Sequence, residues 1–251
     1  MNDFDTLIQD AQAAGFAGWD FSWLDGRWIE GPIPWDYREL VMAQFAGVQS
    51  LLDLGTGGGE LLASMAPLPP DTRATENYPP NGPIARKRLE PLGVSVVTGV
   101  PDDALPFPVA TFDLVIDRHE SFDPAEVFRI VKPGGRFVTQ QVGGQDNLRL
   151  NELLQDEVAF EFADWGPAAA ISGLEAAGFQ IADLKEAALE TRVTDIGAVV
   201  YYLRAIPWQI EGFTVEGYRD RLLALHEMMQ REGGLTLHSH RFLIEAVKPA
   251  L

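Results

Sequence analysis

The segment Leu51-Leu52-Asp53-Leu54-Gly55-Thr56-Gly57-Gly58-Gly59-Glu60 decides the fold class of this chain. An apolar run ending in a leucine passes directly into a glycine-rich turn, and residues 60–65 then have the pattern of a helix start. Glycines in such a turn allow a ligand to approach the backbone closely. We therefore predict a buried parallel strand, a binding loop at its carboxyl end and a helix that begins within the loop.

The spacing of the glycines separates two classes of ligand. A dinucleotide loop has the pattern G-x-G-x-x-G, but Glu60 stands where its last glycine would be. The side chain of Glu60 would crowd a pyrophosphate, and its charge would repel phosphates at the helix N-terminus. The loop instead reads D-x-G-x-G-x-G from Asp53, which disfavours an NAD-dependent oxidoreductase.

Three motifs in this order resemble the class I S-adenosylmethionine-dependent methyltransferases. The glycine loop resembles motif I of that family, the segment 102–115 resembles its motif IV region, and 131–137 resembles its L-K-P-G-G turn. The stretches 139–143 and 201–209 also resemble stand-alone bacterial methyltransferases of the broad type 11 group. The resemblance implies S-adenosylmethionine as cofactor and in-line methyl transfer as the reaction.

Short apolar runs alternate with helical patterns after Leu51, the rhythm of a parallel sheet. We predict an α/β, Rossmann-like, doubly wound sheet of seven strands, mostly parallel, whose last strand is antiparallel as the resemblance implies. The first predicted strand ends at Leu54. The other six predicted strands span 72–76, 94–98, 112–117, 136–142, 179–193 and 241–246.

The predicted organisation is a single methyltransferase domain over 1–251. An N-terminal helical and aromatic lid segment spans 1–45, and the cofactor-binding core spans 46–142. The C-terminal half, 143–251, carries a helical cap insertion at about 195–232, before the last strand. No internal repeat or low-complexity linker interrupts the chain.

Ligands of open α/β sheets bind beyond the carboxyl ends of the strands, where the strand order reverses. By the resemblance, this reversal lies between the first and fourth predicted strands, and Glu76 at the end of the second would accept hydrogen bonds from the ribose hydroxyls. Adenine would meet an acid in the next loop, whose register is open between Asp102 and Asp103; we favour Asp103 with Ala104. The predicted cofactor-binding residues are Asp53, Gly55, Thr56, Gly57, Gly59, Glu76, Asp103, Ala104 and Asp117.

The polar cluster Arg118-His119-Glu120 follows the fourth predicted strand, where the transferring methyl group is expected. His119 or Glu120 is placed to act as a base, and Arg118 to hold a carboxylate of the acceptor in a bidentate grip. A structural ion-pair network is the alternative. A metal site is not expected, because no further ligand spacing accompanies His119 and Glu120.

Aromatic residues are concentrated near the N-terminus, where Trp19, Trp23, Trp28 and Trp35 occur. They serve either as a lid over the cofactor, because aromatic faces attract a sulfonium cation, or as anchors of a helical layer. Both interpretations stay open. The predicted substrate pocket consists of Trp35, Tyr37, Tyr201 and Trp208.

Composition excludes several classes of function. The chain has 251 residues, no cysteine and a formal net charge of −18, so disulfides, thiolate metal sites and a cysteine nucleophile are excluded. Binding to nucleic acid or to anionic membranes is not expected, because both depend on basic patches. The first residues lack the order of a signal peptide. We expect a cytoplasmic monomer or homodimer with a small-molecule acceptor; the competing hypothesis is a non-catalytic module that binds S-adenosyl ligands.

Overall fold

A computed structural model describes residues 3–16, 20–158 and 162–250 of the chain. Its helices are α1 Phe4–Ala13, α2 Tyr37–Ala43, α3 Glu60–Ser64, α4 Asn81–Leu89, α5 Pro124–Ile130, α6 Leu148–Leu154, α7 Pro167–Ala177, α8 Ile196–Ala205 and α9 Arg219–Glu232. Its strands are β1 Trp28–Glu30, β2 Ser50–Leu54, β3 Asp71–Glu76, β4 Ser95–Thr98, β5 Phe112–Arg118, β6 Val131–Val142, β7 Gln180–Val193 and β8 Leu235–Val247.

The strands form one sheet in the order β1-β7-β8-β6-β5-β2-β3-β4. The pairs from β4 across to β6 are parallel, whereas β8 pairs with β6 and β1 pairs with β7 in the antiparallel sense. The predicted α/β class and the antiparallel last strand are therefore confirmed. The predicted count of seven strands was one too low, because β1 has only three residues and no alternating pattern marks it in the sequence.

The chain divides into two compact units, each assembled from separate stretches of sequence. The first unit comprises Met1–Ile33, Gly143–Trp165 and Ala187–His240, and the second comprises Pro34–Val142, Gly166–Glu186 and Arg241–Leu251. The long strands β7 and β8 contribute residues to both. The single domain expected from the sequence stays a prediction.

The second unit contains the parallel part of the sheet. Every residue of β2 is buried, as expected for a strand with a helix layer on each face. Its apolar core includes Leu51, Leu62, Ala74, Leu114, Ile116 and Val138. Parallel strands end on one edge of the sheet, so the loops after β2, β3, β4 and β5 can contribute to one site.

Apolar packing between α1 and α8 forms part of the core of the first unit. Leu7 and Ile8 of α1 are buried in one cluster with Val199 and Leu203 of α8. Asp195 caps α8, because its carboxylate accepts a hydrogen bond from the amide of Ala198 at 3.1 Å. This helix and its cap confirm the helix predicted from residue 195 onward.

No helix within the described ranges combines the length and apolar character needed to cross a membrane. Trp19, one of the predicted aromatic residues, lies outside the described residues.

Candidate active site

The glycine loop joins β2 to α3 in a conformation that side chains disfavour. Gly55, Gly57 and Gly59 all have positive φ angles, of 61°, 62° and 80°. A Cβ atom at Gly57 would meet nothing within 4 Å, whereas one at Gly55 would overlap the side chain of Glu120. The backbone at Gly57 therefore borders open space, as a loop does when it is built for close approach of a ligand.

The end of β3 is hydrogen-bonded to the glycine loop. The amide of Thr56 donates to the carbonyl of Thr75 at 2.9 Å, and the amide of Gly55 donates to the Thr75 hydroxyl at 3.2 Å. Glu76 follows, and only 3% of it is exposed. Burial raises the pKa of Glu76, although the amide of Tyr78 donates to its carboxylate at 2.7 Å. Glu76 is thus not a surface carboxylate.

The loop after β4 brings Asp102 into a polar network. Asp102 accepts hydrogen bonds from the Ser121 hydroxyl and, at 3.4 Å, from the side-chain amide of Asn77. The Asn77 amide oxygen accepts from the backbone of Val100 at 2.8 Å. Asp103 and Ala104 are both exposed. Asn77 was not among the predicted site residues, because no local sequence pattern connects it to Asp102, which is 25 positions away.

Asp53 and Asp117 lie in neighbouring strands and are both buried. Leu54 pairs with Asp117 in the β2–β5 register, which confirms the predicted neighbourhood of the two strand ends. Burial, with a smaller contribution from Glu76, raises the pKa of Asp53 to about 7. Burial also raises the pKa of Asp117 well above its ordinary value.

The side chain of Asp117 organises the turn that follows β5. It accepts from the amide of Glu120 at 3.1 Å and from the side-chain amide of Gln141 at 3.0 Å. Its backbone carbonyl accepts from the hydroxyl of Tyr37 at 3.0 Å. The buried Tyr37 and Asp117 therefore help to hold the segment 118–120 in place through these hydrogen bonds. Gln141 was not among the predicted site residues.

Glu120 lies against the glycine loop and is half-buried. Its carbonyl accepts from the side-chain amide of Gln141 at 2.8 Å, and its side chain fills the space next to Gly55. Burial and the nearby acids Asp102 and Glu76 raise the pKa of Glu120 to about 7. A carboxyl group with such a pKa can gain or lose a proton near neutral pH.

His119 has a left-handed backbone with φ 65°. Its amide donates to the carbonyl of Gln140 at 2.8 Å, and its Nε2 lies 3.1 Å from the Gln140 side-chain nitrogen. The Gln140 oxygen accepts from the indole nitrogen of Trp35 at 2.8 Å. His119 as a whole residue is exposed, but the protein atoms around its ring, together with the nearby Arg118 and Arg241, hold its pKa below the usual range.

The candidate site contains four acidic side chains together with Arg118, which is near enough to Asp53 to oppose the rise of its pKa. The acids Asp53, Glu76, Asp102 and Glu120 belong to β2, β3 and the loops after β4 and β5. Within the described residues, Arg118 makes no ion pair with an acidic side chain. No group of three or more histidine, aspartate or glutamate side chains suited to a metal ion occurs in the same ranges.

Two predicted pocket residues belong to the first unit. Tyr201 is buried, its hydroxyl donates to the carbonyls of Gly15 and Asp20 at 3.3 Å, and its ring stacks on Trp23 at 4.7 Å. Trp208 is 49% exposed. Trp35 and Tyr37, the other two, belong to the second unit.

Comparison with known proteins agrees with this arrangement. Residues 52–139 match a family model described as a methyltransferase domain. A protein-L-isoaspartate O-methyltransferase of Methylorubrum extorquens (strain PA1) is 32% identical over 132 residues, which cover 51% of this chain and 57% of that enzyme. The chain thus spans little more than half the length of this curated relative.

Solved structures with similar folds have low sequence identity. A candidate methyltransferase of Bacillus halodurans C-125 superposes with a TM-score of 0.62 at 18% identity, covering 85% of this chain and 99% of that one. The [4+2]-cyclase SpnF superposes with a TM-score of 0.56 at 17% identity, covering 98% of this chain and 93% of that one. Such likeness shows the fold alone. Residues 52–139, which include the glycine loop, are thus similar to a methyltransferase domain, and the likeness to the solved structures is one of fold.

Proposed function

We propose that this chain transfers a methyl group from S-adenosylmethionine to a small-molecule acceptor. The observation that carries the proposal is the glycine loop, where the backbone of Gly57 borders open space beside buried acids. S-adenosylmethionine has a sulfonium and an ammonium cation and no phosphate, so a site rich in carboxylates suits it and would repel a dinucleotide. The residues present therefore fit the cofactor of the family.

Each part of the cofactor has candidate partners in the second unit. The backbones of Gly55, Thr56, Gly57 and Gly59 would line the cofactor, and Asp53 would contact its amino-acid portion. The buried Glu76 would accept from the ribose hydroxyls. Asp102 or Asp103, with Ala104, would meet the adenine; the hydrogen bonds of Asp102 to Asn77 and Ser121 favour Asp102.

When bound, S-adenosylmethionine supplies an electrophilic methyl group. The chain has to hold the acceptor in line with that group, because positioning accounts for much of the acceleration of such displacements. Where the acceptor carries a proton, Glu120 is the better candidate for a base, since the Nε2 atom of His119 is already engaged by Gln140. The pKa of Glu120, about 7, suits proton transfer at neutral pH.

A protein acceptor is the second candidate, favoured by the similarity to a protein-L-isoaspartate O-methyltransferase. A transfer assay with isotopically labelled S-adenosylmethionine separates the two. We expect label in small molecules from a metabolite extract and none in an isoaspartyl peptide. Label in the peptide alone would establish the second candidate instead.

Binding tests the cofactor independently of any acceptor. Calorimetry should show binding of S-adenosylmethionine and S-adenosylhomocysteine and no binding of NAD. Tight NAD binding that displaces S-adenosylhomocysteine would refute the proposal. Binding without transfer to either class of acceptor would favour a non-catalytic module.

Glu120 gives the proposed transfer a defined pH dependence. If this carboxylate is the base, the rate should rise as the pH increases through about 7, the pKa of Glu120, and then level off. Glu120→Gln should lower the rate by roughly two orders of magnitude or more and remove that rise. A variant that keeps both the rate and the pH profile of the parent would exclude Glu120 as the base.

A further inference from the structure

A hydrogen-bond chain connects Trp35, Gln140 and His119. An indole N–H can only donate, so the Gln140 atom 2.8 Å from it has to be the amide oxygen. The Gln140 NH₂ group is then the atom that faces Nε2 of His119 at 3.1 Å. Because an NH₂ group can only donate, Nε2 must be the acceptor of this bond.

The tautomer of His119 follows from that chain. A neutral imidazole that accepts at Nε2 carries its proton on Nδ1. Burial among protein atoms, with Arg118 and Arg241 nearby, lowers the pKa of His119 and opposes a second proton. His119 is therefore a neutral donor at neutral pH. Its Nδ1 atom has no hydrogen-bond partner among the described residues.

The backbone of His119 is held in a costly conformation. A residue other than glycine at φ 65° is in a less favourable conformation than one with an ordinary backbone. The bond from its amide to the carbonyl of Gln140 at 2.8 Å and the support from the 4% exposed Gln140 side chain maintain it. Such an outlier at the end of a central strand points to a role for the side chain that it aims.

The charges around His119 favour an anion. Arg118 precedes it, is exposed and pairs with no carboxylate within the described stretches. Arg241 is close enough to repel a proton on the ring. Two guanidinium groups, those of Arg118 and Arg241, thus lie near the neutral ring of His119.

We propose that the acceptor carries a carboxylate or a similar oxyanion, which is bound by the Nδ1–H of His119 together with the guanidinium of Arg118. This assignment rests on the proposed function and specifies its substrate class. A guanidinium can hold a carboxylate through two parallel hydrogen bonds, and the imidazole adds a third donor of fixed direction. His119 thus anchors the acceptor and is not its base, while Trp35 and Gln140 are positioning residues.

The first experiment measures the tautomer directly, without cofactor or acceptor. The chain has four histidines, and ¹⁵N-histidine labelling with long-range ¹H–¹⁵N correlation reports which ring nitrogen carries the proton. His119→Asn identifies the signal. We expect the Nδ1–H form, neutral from pH 5.5 to 8. An Nε2–H form, or protonation between pH 6 and 7, would overturn the assignment.

Gln140→Glu supplies the internal control for that measurement. A glutamate would accept from Trp35 with one oxygen and from the ring with the other, so His119 should change to an Nε2–H or doubly protonated form. An unchanged spectrum would show that Gln140 does not set the tautomer and would also overturn the assignment.

The second experiment tests the anion site with defined probes in the presence of S-adenosylhomocysteine. The probes are benzoate, phenylacetate and succinate, and their controls are the corresponding amides. We expect carboxylates to shift the His119 signal and to bind at least tenfold more tightly than the amides. Arg118→Gln should weaken carboxylate binding roughly 10- to 100-fold, whereas Arg86→Gln, on the exposed face of α4, should not.

The outcomes separate this inference from the proposed function. Failure of S-adenosylhomocysteine to bind would refute the proposed function, while the tautomer measurement would still stand. If the cofactor binds normally, three results would overturn the anion site alone. These are equal affinity for acids and amides, no carboxylate binding at all, and unchanged carboxylate affinity in Arg118→Gln.

Discussion

Gly57 connects a local sequence pattern with a backbone conformation. Its φ angle of 62° disfavours any side chain, and the space beside it is open. The sequence was sufficient to identify this position, because the D-x-G-x-G-x-G pattern is local. It was not sufficient to identify Gln140, whose two side-chain partners are 105 and 21 positions away.

Gly57→Ala should abolish binding of S-adenosylhomocysteine while the fold survives. The matched control is Gly93→Ala, because Gly93 has a φ of 82° and equally open surroundings but lies before β4, away from the loop. Both variants should lose roughly 1–2 kcal/mol of stability from backbone strain. Calorimetry and thermal unfolding measure the two effects. Equal binding by both variants would mean that the ligand does not approach Gly57.

Glu76→Ala should weaken binding of S-adenosylhomocysteine by roughly 1–3 kcal/mol, the usual contribution of hydrogen bonds to a charged group. The residue is buried at the carboxyl end of β3, where the ribose is expected. Glu90→Ala, at an exposed position after α4, is the control. Calorimetry at constant salt should separate the two variants, and identical affinities would remove Glu76 from the cofactor site.

At the level of elements, hydrophobic patterning predicted the parallel strands well and the edge of the sheet poorly. The predicted strand 72–76 agrees with β3 to within one residue, since its flanking turns are marked in the sequence. β8 begins at Leu235, earlier than the predicted 241, and β6 begins at Val131, just before the K-P-G-G turn and earlier than the predicted 136. Both extensions depend on partner strands, which local patterns do not reveal.

Asp113 links three strands at the end of the sheet opposite the candidate site. Its carboxylate accepts from Lys132 at 2.8 Å and from the hydroxyl and amide of Ser50 at 2.8 and 2.9 Å. Burial alone would raise the pKa of Asp113, but these hydrogen bonds lower it to about 2. The native pKa lies below the ordinary value of 3.8, so this group stabilises the fold above about pH 4 and ceases to do so as the pH falls toward 2.

Asp113→Asn should therefore lower the free energy of unfolding by about 1–2 kcal/mol at pH 7. The difference from the parent should shrink below pH 4, because Asp113 in the unfolded parent then takes up a proton while the native carboxylate, with a pKa of about 2, still resists it. Denaturant unfolding at pH 7 and pH 3 measures both values. A difference that is independent of pH would show that the hydrogen bonds of Asp113, and not its charge, stabilise the strands.

At the level of the whole molecule, the division into two units was not apparent from the sequence. Each unit collects three stretches of chain, and β7 and β8 show no linker where they pass from one to the other. Composition and turn signals detect boundaries only where the chain changes character. The candidate cofactor residues, by contrast, all fall within Pro34–Val142 of the second unit, because they follow successive strands of one parallel sheet.

This distribution predicts where ligand binding should stabilise the molecule. Hydrogen exchange with S-adenosylhomocysteine should slow most in segments 53–60, 76–78, 99–104 and 117–121, since a ligand that binds only the native state suppresses local opening around its contacts. Segments 196–205 and 219–232 of the first unit serve as internal references and should exchange as in the free protein. The Gly57→Ala variant should show no slowing anywhere. Strong protection of 196–205 by this ligand alone would place the first unit in the cofactor site and contradict the assignment of that site to the second unit.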